Sequence, residues 1–67
     1  MSYSDIKRNL NEAARLIDAG EYGSADRLIR TPGTTRNDLD FILGSKRIAK
    51  MRKWYRKTAD ALRGKTD

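Results

Sequence analysis

SDIKRNLNEAARLIDAGEYGSA, residues 4–25, carries two helices and the turn between them. Ile6, Leu10, Ala13, Ala14 and Ile17 recur at spacings of three and four, which places them on one stripe of a helix. Lys7, Arg8, Asn11, Glu12 and Arg15 fall elsewhere on the wheel. Ser4 is expected to cap this helix, with Asp5 in the first turn, where the helix dipole favours an acid. Gly20 is expected to stop it, since glycine takes the left-handed conformation of a C-terminal cap at low cost. A second helix is expected from about Glu21 to Arg30, with Tyr22, Ala25, Leu28 and Ile29 as its apolar positions.

Working outward, Thr31-Pro32-Gly33 breaks the chain, because proline disfavours helical geometry at the residue before it and has no amide hydrogen. Thr34 or Thr35 is expected to cap a third, short helix from about Arg36 to Leu43, with Leu39, Ile42 and Leu43 on one face and Gly44 ending it. Ser45 is expected to cap a long fourth helix to about Arg63, stopped by Gly64. Its core face would be Ile48, Met51, Tyr55, Ala59 and Leu62. No strand pattern occurs. The expected fold is all-α, a compact bundle of about four helices: a helical hairpin, a short third helix and a long basic C-terminal helix. Residues 1–64 would form a single domain and 65–67 a loose tail.

Composition narrows the chemistry. The chain has 67 residues, 36% charged and 37% apolar; the apolar ones are patterned, which argues against disorder. A chain this short buries roughly 60% of its unfolded surface, so the core is small. Cysteine and histidine are absent, which removes thiolate ligands, disulfides and the commonest metal ligand and general base. Asp38 and Asp40 do not share a helical face, and Gly33-Thr34-Thr35 lacks the spacing of a phosphate loop. We therefore expect no enzyme, no cofactor and no metal. No run approaches the ~18 apolar residues of a membrane span. No apolar run follows Met1-Ser2-Tyr3-Ser4-Asp5, so a signal peptide is not expected and the cytoplasm is the expected compartment.

Net charge is +6, and its distribution is uneven. Residues 1–44 hold six basic and seven acidic residues; residues 45–67 hold nine basic and two acidic. The positive excess therefore sits on the fourth helix, which points to a polyanion-facing surface. Lys46, Lys50, Lys53 and Lys57 line the side opposite the core face. Arg52, Arg56 and Arg63 flank them on one edge, Arg47 and Trp54 on the other. Like charges so spaced repel each other, and Asp60 is the one acid nearby, so an external anion would relieve the strain. The plainer reading is a solvated lysine face.

Two local resemblances emerge. Gly20-Glu21-Tyr22-Gly23-Ser24-Ala25 fits the G-x-Y-x-x-A turn of a tetratricopeptide hairpin, over about a third of the chain. One copy cannot stack as that repeat does, so it reads as a generic helical hairpin. Residues 36–53 resemble a helix-turn-helix in outline. With Arg36 first, Leu39, Leu43 and Gly44 fall at its fourth, eighth and ninth positions. Asp40 stands fifth where a small residue is expected, and Lys50 and Lys53 take the apolar fifteenth and eighteenth. The apolar residues come two earlier, at Ile48 and Met51, as a shortened turn would require.

The leading expectation is a nucleic-acid-binding protein, DNA before RNA: a regulator, or a phage or mobile-element accessory protein. Its contacts would be Lys46, Arg47, Lys50, Arg52, Lys53, Trp54, Arg56 and Lys57. Lysines give affinity through phosphates; arginines are the candidates for base contacts. Trp54 is either a half-buried core aromatic or a platform for a base. The alternative is a protein–protein module (inhibitor, adaptor or virion component) docking the basic helix on an acidic surface. Phe41 points away from Leu39 and Ile42. It either packs under the first helix or, with Trp54, forms a partner or homodimer surface. Membrane-surface binding is disfavoured because the fourth helix needs its apolar residues for the core.

Overall fold

In the computed structural model the backbone is described for residues 3–66 and the side chains for residues 3–59. Four helices follow one another: α1 (Tyr3–Asp18), α2 (Tyr22–Ile29), α3 (Arg36–Ile42) and α4 (Gly44–Thr66). The all-α bundle is as the periodicity predicts. Among the described residues none lies in a strand, and no helix is long and apolar enough to cross a membrane.

The α1 stripe forms the core's spine. Ile6, Leu10, Ala13, Ala14 and Ile17 are all buried, and Leu10 and Ile17 are the largest side chains with almost no exposure. The alanines let α2 approach closely, and Ala25 of α2 is buried against them. Leu43, at the α3–α4 junction, and Met51 of α4 close the cluster, with Tyr22, Leu39, Ile48, Trp54 and Tyr55 packed around it.

The turn after α1 is a Schellman motif. Gly20 has φ +80; its N–H bonds to the Ile17 carbonyl at 3.0 Å, and the Glu21 N–H reaches back to Leu16 at 2.8 Å. At the far end of α2, the Thr34 N–H closes a turn on the Thr31 carbonyl. Thr31 is buried, and its hydroxyl is used twice: it donates to the Leu28 carbonyl and accepts from the Asn9 amide. That pair docks the turn on α1. Thr35 then starts α3 with a reciprocal capping box, its hydroxyl accepting from the Asp38 N–H and the Asp38 carboxylate accepting from the Thr35 N–H.

Several expected boundaries shift. Ser4 lies inside α1, which already includes Tyr3, so it is not the cap. Ser45 lies in the first turn of α4, and Gly44, at φ +84, is the residue that reverses the chain. A single residue, Leu43, separates α3 from α4, where a helix-turn-helix has a turn of three or four. Gly64 does not end α4, which continues to Thr66; glycine permits a left-handed cap without requiring one. Ala59, assigned to the core face, is exposed, as are Arg56, Lys57 and Thr58. At 1.5 Å per residue α4 is about 34 Å long and α1 about 24 Å, so α4 outruns the hairpin that covers it. Leu62, Asp60 and Arg63 lie outside the residues whose side chains are described.

A hydrogen bond from the Tyr55 phenol to the Asp26 carboxylate ties α4 to α2. Arg30 donates to the same carboxylate at 3.1 Å. Burial, followed by the hydrogen bond to Asp26 and its charge, pushes the Tyr55 phenol up to about 12. The neutral phenol is thus the form the fold favours. Its contribution is complete below the ordinary tyrosine value of 10.0 and is lost as pH rises towards about 12. The wild-type unfolding midpoint should therefore fall across that window, and the decline should be shallower in Tyr55→Phe; parallel curves would show that the bond adds nothing to stability. Leu10→Ala should lose about 2–5 kcal/mol, a large part of the roughly 3–10 kcal/mol available to a chain of this size. A circular-dichroism melt should show a sharply lowered midpoint or no cooperative transition.

Candidate nucleic-acid interface

Packing fixes the rotation of α4. Met51 is buried and Ile48 and Tyr55 are half-buried on the side facing α1, α2 and α3. The side chains half a turn away are held outward by the same packing. Lys46, Lys50, Lys53 and Lys57 are all exposed, and none makes a salt bridge to a described residue. Eleven residues separate the first from the last, so the ridge is about 16 Å long, the axial length of roughly five base pairs. Arg52 and Arg56 are exposed on one edge.

Arg47 is placed differently from the sequence expectation. Its guanidinium makes a forked pair with Asp18 at the end of α1, Nε to Oδ1 at 3.0 Å and Nη2 to Oδ2 at 2.8 Å. Its third nitrogen donates to the Leu43 carbonyl at 3.0 Å. Arg47 therefore joins α1, the α3–α4 junction and α4, and is not a free cation. The hydrogen bond from Arg47, more than its charge or that of Lys50, holds the Asp18 carboxyl below the usual range. Sequence inspection misses this pair because 29 residues separate its members.

Trp54 is half-buried. Its ring meets Tyr55 edge-on, with centroids 5.2 Å apart, and is packed against the core. It also lines a groove of about 360 Å³ with Tyr22, Lys50, Lys53 and Lys57. One portion of Trp54 thus packs inside, as expected of a half-buried core aromatic, and one faces a cleft edged by the ridge. Tyr22, read from the sequence only as an apolar position, is the residue that completes the cleft. Its distance from Trp54 in the chain hides that role.

Phe41 does not pack under α1. It is 85% exposed, because α3 spends Leu39, Ile42 and the following Leu43 on the bundle and turns Phe41 away. It shares no ring contact with Trp54. A second, apolar groove of about 210 Å³ lies between α3 and α4, floored by Leu39, Ile48 and Met51, with Arg36 and Arg52 at its rim. No group of three or more His, Cys, Asp or Glu side chains with metal-holding geometry occurs among the described residues.

Compared with known proteins, the chain matches no family model, no curated protein and no solved structure.

Asp18 stands beside the ridge, close enough to Lys50 to feel its charge. Asp18→Asn should release Arg47 and strip a negative charge from the ridge's edge. Polyanion affinity at low salt should rise a few-fold while the melting midpoint falls. The Asp18 contribution is present above the ordinary carboxyl value of 3.8 and fades as pH falls through its lowered folded value, so the variant should also lose less stability on acidification. Unchanged melting would show that the fork is ornamental.

Proposed function

We propose that this protein is a small non-enzymatic nucleic-acid-binding module that lays the lysine face of α4 along a phosphate backbone. The observation that carries the proposal is the outward ridge Lys46–Lys50–Lys53–Lys57, which makes no salt bridge to a described residue and whose orientation is set by Met51 on the opposite side. Four ammonium groups within three turns repel one another, and no described carboxylate pairs with them. Phosphates supply the missing partners, and the release of their counterions supplies affinity. Arg52 and Arg56 extend the basic face; Arg47 supports it from beneath. DNA is favoured over RNA because an exposed α-helix fits the wide major groove of B-form DNA, and the deep, narrow groove of an A-form duplex excludes it. A regulator or a phage or mobile-element accessory protein, acting in the cytoplasm, is the role that suits so small a binder.

One observation favours a second reading, a protein-binding module. Phe41 is exposed, and the apolar groove beneath Arg36 and Arg52 suits an apolar side chain flanked by carboxylates on an acidic partner.

Titration of labelled duplex DNA across about 50–300 mM salt distinguishes them. Micromolar or tighter binding is expected at low salt, with a log–log slope of about −3 to −5 for four or five phosphate contacts. Lys50→Gln with Lys53→Gln should weaken binding to every sequence and flatten the slope by about 2. Absence of binding at the lowest salt, or a partner lost on Phe41→Ala and kept by the double lysine variant, would transfer the function to the protein-binding surface.

A further inference from the structure

Among the depressions that border the described part of α4, three differ in the charge of their linings. The polar hollow at the Lys46 end contains the Asp18 carboxylate, already occupied by Arg47, so an incoming anion meets an acid there. The α3–α4 groove is apolar and, at about 210 Å³, has room for little more than one side chain. The third, between α2 and α4, has no acid in its lining: two aromatics, Tyr22 and Trp54, and three lysines, Lys50, Lys53 and Lys57. Its volume of about 360 Å³ lies in the range of small-molecule sites.

We infer that the Tyr22–Trp54 cleft takes the base of an unpaired nucleotide whose flanking phosphates are held by Lys50, Lys53 and Lys57. The inference rests on the nucleic-acid reading above and adds strandedness to it. Stacking on an aromatic ring requires a base free of its own stack, and it tolerates any base because every base has a π-face. The ridge by itself needs only phosphates, which duplex and single strand both present. An aromatic cleft opening directly onto that ridge distinguishes them.

A further feature fits a planar guest. The Tyr22 hydroxyl and the Trp54 indole N–H make no hydrogen bond to a described residue, and neither is a buried orphan. They are available to a base edge or a sugar.

Trp54 is the one tryptophan in the chain, so its emission reports the cleft directly. Full-length protein is titrated at low salt with oligo-dT, with a blunt duplex, and with two polyanions that carry no base, polyphosphate and polyglutamate. Binding is followed in parallel by competition against a labelled oligonucleotide. Oligo-dT is expected to quench the tryptophan strongly; the blunt duplex and polyphosphate should bind with little quenching. Trp54→Leu, checked for native helicity, should weaken oligo-dT binding by about 5- to 150-fold, as the loss of one stacked base requires, and should leave duplex binding within about twofold. Binding of all nucleic acids without quenching, or equal quenching by duplex and single strand, would overturn the inference and leave the lysine ridge standing. Quenching by polyglutamate as strong as by oligo-dT would overturn it in favour of an acidic peptide. Failure of every nucleic acid to bind would remove the nucleic-acid reading and the cleft's ligand together.

Discussion

Removal of the α1 stripe from water is the constraint on which the remaining structure depends. Leu10, Ala13 and Ile17 are buried almost completely, and they alternate large and small side chains along one face. Ala13 admits Ala25 of α2 at close range; Leu10 and Ile17 are the largest side chains the chain hides completely. Leu43, at the α3–α4 junction, and Met51 of α4 complete the burial. α1 touches each of the other three helices, and α3, which has no buried residue of its own, lies between α1 and α4.

Orientation of α4 follows from that core and from two polar ties at different heights. Arg47 clamps its start to Asp18 and to the Leu43 carbonyl; Tyr55 fastens its middle to Asp26. Each tie joins partners 29 residues apart, so both act across the fold and not within a helix. Together they hold the lysine ridge outward despite the repulsion among its charges. The fork at Arg47 removes one cation from the surface and, in exchange, fixes the register of the other four.

The sequence reading and the structure part at residues whose fate depends on a neighbour. Ala59 has the right periodicity for the core and is exposed, because periodicity says which face a residue occupies and not whether anything covers it. Phe41 is apolar enough to be buried, yet α3 is too short to bring a second face under α1. The helix-turn-helix spacing fails by two residues, and the one-residue link at Leu43 accounts for the displacement of Ile48 and Met51. The tetratricopeptide-like turn is real as a local geometry, a Schellman cap at Gly20, and carries no repeat with it.

From its sequence alone the chain determined that it would be helical, where α1 and α2 would meet, which five residues of α1 would be buried, and that its positive excess would lie on one face of its last helix. These are local or periodic properties, set by side-chain spacing, by the conformational freedom of Gly20 and by the count of charges. Tertiary structure decided that Arg47 would be consumed by Asp18, that Trp54 would share a cleft with Tyr22, and that Phe41 would face solvent. Each of those depends on how far one helix reaches past another and on the rotation at which they dock. Such distances arise only when the helices pack, and no spacing within a single helix encodes them.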